Sequence, residues 1–133
     1  MTEQHIITML QHKKSYEAEV AILRDCSDEF HEIHEDETSS RYALLNRRIT
    51  LINHWLDYLS PEERFVIDMH LVQRRSWTHI SQELDRLYHN DVACDERTLQ
   101  RLQAKVIKKI ASLMNDKFGT SMDYLIEEIT QSL

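Results

Sequence analysis

One glycine and one proline in 133 residues leave almost no material for tight hairpin turns, which excludes a protein built mainly from β-hairpins. Two cysteines, Cys26 and Cys94, are too few for a disulfide framework. No apolar run approaches the roughly 18 residues of a membrane span. The N-terminus lacks the basic-then-apolar pattern of a secretory leader, so a cytoplasmic protein without membrane contact is expected. Hydrophobic residues make up 41% of the chain, enough for one core. The length suits one domain, or a small domain with a helical arm.

Acids outnumber bases, 23 Asp+Glu against 16 Lys+Arg, for a formal net charge of −7. Against that background Asp95 to Lys109, DERTLQRLQAKVIKK, stands out. It holds five positive charges, Arg97, Arg101, Lys105, Lys108 and Lys109, and no acid after Glu96. Charge opposite in sign to the whole marks a surface suited to a polyanion. At roughly 100° per residue, Leu99, Leu102, Val106, Ile110 and Leu113 fall on one stripe. Arg97, Arg101, Ala104 and Lys108 fall on the opposite one, flanked by Gln100 and Lys105. Such a helix packs on one side and presents the other.

Periodicity predicts helices throughout, hence an all-α fold. A first helix is expected over about 3–23, with Ile6, Leu10, Tyr16, Val20 and Leu23 on one face and Lys13 interrupting it. Residues 25–40 carry seven acids and no Lys or Arg, and read as a mobile loop holding at most one helical turn. A long helix is expected over 41–59, its seam formed by Leu45, Ile49, Ile52, Leu56 and Leu59. Its simplest partner is the first helix folded back as a hairpin, and the alternative is a second copy of the chain.

Ser60-Pro61-Glu62-Glu63 is a helix start, with Ser60 and Glu63 forming a capping box. Phe65, Val66, Met69 and Val72 form the apolar face that follows. Ser76 caps the next helix, with Trp77, Ile80, Leu84 and Leu87 inward and Thr78, His79 and Gln82 outward. Residues 88–94 break the pattern. Asp95 caps the basic helix, which closes at Phe118-Gly119. A short amphipathic helix is expected from Met122 to Leu133. The expected organisation is an N-terminal helical arm (1–58, acidic loop about 25–40), a helix-turn-helix unit (59–118) and a C-terminal helix (119–133).

In a helix-turn-helix the last helix enters the major groove and its N-terminal residues reach base edges. That places Arg97, Gln100, Arg101 and the small Ala104 on the bases. Lys105 and Lys108 meet phosphate further along. Ser76, Thr78 and His79 open the middle helix, where free backbone amides receive a phosphate, with Arg74 and Arg75 just before them.

The run LSPEERFVIDMHLVQRRSWTHISQEL, followed by CDERTLQRLQAKVIKKI, resembles the promoter-reading helix-turn-helix in the fourth conserved region of bacterial sigma factors. The order of an N-terminal helix, an acidic segment, a long helix and this unit resembles the ArpU/RinA-like late transcriptional regulators of phages infecting low-GC Gram-positive bacteria. The sigma likeness covers residues 59–113, and the phage-family likeness most of the chain. One departure is the stretch 84–95, longer than the usual turn and without glycine. The resemblance implies a double-stranded DNA-binding transcription regulator, a late-gene activator acting beside RNA polymerase in the bacterial host cell.

Two other functions fit the same pattern: a small terminase subunit for phage DNA packaging, and a protein-only module that binds the transcription machinery. A homodimer through Leu45, Ile49, Ile52 and Leu56, or through the C-terminal helix, is a further expectation. His31 and His34 stand three apart among carboxylates, but a third strong ligand and the zinc-protease spacing are missing, so a solvated acidic segment is the simpler reading. No metal or other cofactor is expected. No phosphate loop, nucleophile elbow or paired-carboxylate motif is visible, and a non-enzyme is expected.

Overall fold

The computed structural model describes residues 1–25, 27–88 and 95–118, with the side chains of 27–38, 88 and 116–118 left aside. Six α-helices make up the described residues, without a strand: α1 (Glu3–Gln11), α2 (Lys13–Asp25), α3 (Ser27–Tyr58), α4 (Pro61–Ile67), α5 (Trp77–Tyr88) and α6 (Glu96–Phe118). A π-turn, Asp68–Val72, extends α4. The protein is all-α. The expected Gly119 cap, the C-terminal helix after it, Cys26 and Cys94 lie outside the described residues.

The expected first helix is two. Thr2 caps α1, its hydroxyl accepting from the His5 amide at 3.2 Å, and the helix ends at His12. His12 Nδ1 lies 2.8 Å from the Thr8 carbonyl, and the His12 carbonyl then accepts from the Tyr16 amide to start α2. The break separates two packing faces. Ile6, Met9 and Leu10 of α1 are fully buried against α3 and α6, whereas α2 turns to pair with α3. Between α2 and α3, Arg41 clasps Glu19 with two bonds of 2.9 and 3.1 Å. The buried Arg48 guanidinium lies 5.2 Å from the centre of the Tyr16 ring. Burial pushes the Tyr16 hydroxyl upward in pKa and the Arg48 guanidinium downward. The hairpin is therefore made by α2 alone.

The expected acidic loop is also corrected, since α3 begins at Ser27 and Ser39 and Ser40 lie exposed within it. Residues 27–40 contain no glycine or proline, glutamate is a good helix former, and acids at 28 and 29 favour a helix N-terminus. The polarity of the segment masks its helix propensity.

The seam of α3 is occupied within the protomer. Leu45 and Ile52 are fully buried, Leu56 nearly so, and Ile49 packs beside them. Leu45, Ile52 and Leu56 are thus covered within one protomer, and Ile49 is partly covered. Their partners include Val106, Ile107, Ile110, Leu113 and Met114 of α6, together with Trp55, whose indole N–H donates to the Met114 sulfur at 3.1 Å. This cluster joins α1, α2 and α3 to the C-terminal half of α6.

A second cluster, Val66, Ile80, Leu84 and Leu99, with Phe65, Met69, Trp77 and Leu102 around it, unites α4, α5 and the N-terminal half of α6. Leu87, expected inward, is 47% exposed. Ile67 and Leu71 are buried as well, because the α4 segment is covered on two sides by the two clusters.

Candidate nucleic-acid interface

The two clusters hold α6 from behind and leave its opposite face open. Arg97, Gln100, Arg101, Ala104, Lys105 and Lys108 are all exposed, and Leu99, Val106, Ile110 and Leu113 are all buried. The capping that positions this helix is visible: the Thr98 amide donates to Asp95 Oδ1 at 2.8 Å. Hydrogen bonding from Thr98 holds the Asp95 carboxyl below its ordinary pKa, with Arg101 and Arg97 adding to the effect.

None of Arg97, Arg101, Lys105 and Lys108 forms a salt bridge with a described residue. Lys109, the fifth base of the run, behaves otherwise. Its ammonium binds Glu63 at 3.0 Å and lies 5.2 Å from the centre of the Tyr58 ring. Glu63 in turn accepts from the Ser60 amide, completing the α4 capping box. Burial pushes the Glu63 carboxyl upward, but hydrogen bonds from Ser60 and Lys109 outweigh it and leave the pKa lowered. Lys109 fastens α6 to α4 and stands apart from the open face.

The open face is narrower than sequence spacing implies. Gln100 and Ala104 lie at its margin, in a crevice shared with Glu3, Gln4 and Ile7 of α1 and with Gln103 and Ile107 of α6. The burial of Ile107, which falls outside the apolar stripe read from sequence, has the same cause: α1 covers that side of α6. The centre of the face belongs to Arg97, Arg101, Lys105 and Lys108.

At the start of α5, Ser76 accepts from the His79 amide at 3.2 Å as expected of a cap. Thr78 is exposed, but its hydroxyl donates to Glu96 at 2.9 Å, tying the N-termini of α5 and α6 together. Glu96 thus brings a carboxylate beside the amides expected to receive phosphate, and His79 is half-buried. Arg75 is exposed, with its amide donating to the Met69 carbonyl at 2.8 Å. Arg74 adopts a left-handed backbone with φ 55°, and its guanidinium donates to the Gln11 carbonyl at 3.2 Å. Of the residues expected to meet phosphate, Arg74, Arg75, Ser76, Thr78 and His79 lie at the start of α5, with Arg74 already engaged by α1, whereas Lys105 and Lys108 lie on the open face of α6.

Sequence spacing gives no sign of the support beneath the start of α5. His70, in the π-turn, lies 2.6 Å from the Gln103 amide oxygen through Nδ1. Its ring stacks on Trp77 with centroids 3.6 Å apart. The two contacts link the π-turn to the start of α5 and the middle of α6.

Among the described residues no group of three or more His, Cys, Asp or Glu is placed to hold a metal ion. The side chains of His31 and His34 lie outside them. No described helix is long and apolar enough to cross a membrane. No protein-family model, curated protein or solved structure matches the chain.

Proposed function

We propose that the protein is a sequence-specific DNA-binding transcription regulator in which α5 and α6 act as a helix-turn-helix. The observation that carries the reading is the segregation of charge on α6. Four bases, exposed and without an ion-pair partner among the described residues, line the open face of an otherwise acidic chain. Cationic side chains are costly to crowd together unless an anion meets them, and a duplex is the anion whose major groove admits a helix. In this reading Arg97 and Arg101 meet base edges, with Gln100 and Ala104 at the margin. Lys105 and Lys108 meet phosphate, and Arg75 with the capped start of α5 meets the neighbouring strand. Activation of phage late genes beside a host RNA polymerase is the role that the family resemblance adds.

The test is replacement of Arg97, Arg101 and Lys105 together by alanine, with duplex binding measured across a salt series. The expected result is affinity lowered by tenfold or more and a salt slope reduced by roughly 0.9 for each phosphate no longer neutralised. Thermal unfolding should change little, since the three side chains form no salt bridge with a described residue and Arg97 and Arg101 only add to the hydrogen bonding that holds Asp95. Unaltered binding and slope would remove the DNA reading. On size exclusion a packaging subunit would run as a large ring, and a protein-only module would bind no duplex even at low salt.

A further inference from the structure

We infer that α1 is a second reading element, and that Gln4 acts with Gln100 to select a base pair at the margin of the α6 face. The inference rests on the DNA reading above and goes one step past it. Helix α1 packs into the same core cluster as α6. Ile6, Met9 and Leu10 are fully buried, and its C-terminal carbonyl at Gln11 is held by Arg74 from the turn that leads into α5. Its exposed N-terminal residues Glu3 and Gln4 line one crevice with Gln100 and Ala104.

The chemistry along this crevice differs from that of the open face beside it. The open face offers guanidinium and ammonium donors. The crevice offers exposed side-chain amides from Gln4 and Gln100 and the acceptor-only carboxylate of Glu3, while the Gln103 amide oxygen is engaged by His70. An amide side chain pairs with the N6 and N7 edge of adenine, and a carboxylate accepts from the amino group of cytosine. An amide alone can also donate to a phosphate oxygen, but the Glu3 carboxylate in the same crevice repels one. The crevice therefore fits exposed base edges carrying amino groups, next to bases read by Arg97 and Arg101. Ala104 at its rim leaves room for that approach.

Gln4 is exposed and makes one side-chain hydrogen bond among the described residues, at 3.4 Å to the Thr8 hydroxyl on its own helix, so Gln4→Ala should fold normally. Deleting α1 would instead strip the core.

The experiment selects bound sequences from a random duplex pool with wild type, Gln4→Ala, Gln100→Ala and the double variant, full chain in each case. The expected result is that both single variants relax preference at the same base pair and weaken the selected site roughly fivefold or more. The double variant should lose less than the product of the single losses, because the two amides read one base pair together. Thermal midpoints should match wild type. If Gln4→Ala leaves both the selected sequence and the affinity unchanged, α1 is not a reading element. If both single variants lose affinity but the losses multiply, the two amides do not share one base pair. Either result overturns the inference and leaves the role of α6 standing. If wild type itself enriches no sequence, the DNA reading falls and takes this inference with it.

Discussion

The guanidinium of Arg74 and the main-chain carbonyl of Gln11 meet at 3.2 Å, joining the turn before α5 to the end of α1 across 63 positions of sequence. Arg74 does so from a left-handed backbone, φ 55°, where glycine is the usual occupant. The conformation costs a non-glycine residue on the order of 1 kcal/mol. Retaining arginine there is consistent with the side chain's grip on α1.

That arrangement separates two substitutions. Arg74→Ala loses the grip and keeps the backbone cost, whereas Arg74→Gly loses the grip and relieves the cost. Urea unfolding should show the alanine form destabilised and lower than the glycine form by about 1 kcal/mol. The reverse order would mean that the backbone at this position is not left-handed in solution.

Adjacent lysines should divide cleanly. Lys108→Met removes an exposed charge from the open face, so the salt slope of duplex binding should fall by roughly 0.9 with thermal stability unchanged. Lys109→Met breaks the pair with Glu63 and should lower the thermal midpoint while leaving the slope near wild type. Salt titrations and melts of the two variants, run side by side, check the assignment.

Asp95 gives a pH signature. Its folded pKa lies below the ordinary carboxylate value, so its contribution to stability is present above that ordinary value and lost as pH falls through the folded one. Asp95→Asn keeps an acceptor for the Thr98 amide but not the charge. The stability gap between wild type and Asp95→Asn should therefore be widest near neutrality and close on acidification below about pH 4. A gap that stays constant from neutral to acid would detach the cap from the carboxylate.

Leu45→Ala addresses the seam of α3. The residue is fully buried within one protomer, so truncation should cost about 2–5 kcal/mol and the loss should be independent of protein concentration. A midpoint that rises with concentration in wild type but not in Leu45→Ala would instead place the seam between copies.

Much of this architecture is legible in the sequence because caps are local. Ser60, Ser76 and Asp95 each bind an amide three residues on, and each marks a helix start where the spacing puts it. The inward stripe of α6 is legible for the same reason, being a matter of period. What escapes is long-range. The break at His12 follows from α1 and α2 having different partners, and Lys13 in the apolar stripe is its sole local trace. The helix over 27–40 is hidden because its acidity resembles that of a disordered segment, although it lacks helix breakers. The split between Lys108 and Lys109 depends on Glu63, 46 residues away, and the marginal position of Gln100 depends on Glu3 and Gln4. Neither partner can be identified from one helix alone.

The joint core of α1 and α6 has a consequence for how the chain matures. Ile6, Met9 and Leu10 are synthesised about a hundred residues before Val106, Ile107 and Ile110, which belong to the same cluster. Until those residues leave the ribosome, the apolar face of α1 lacks part of its cover. Closing so long a stretch of chain is an entropically slow step. The surface proposed to meet DNA is thus among the last parts of the described chain to form, and a nascent protein would acquire its DNA affinity late.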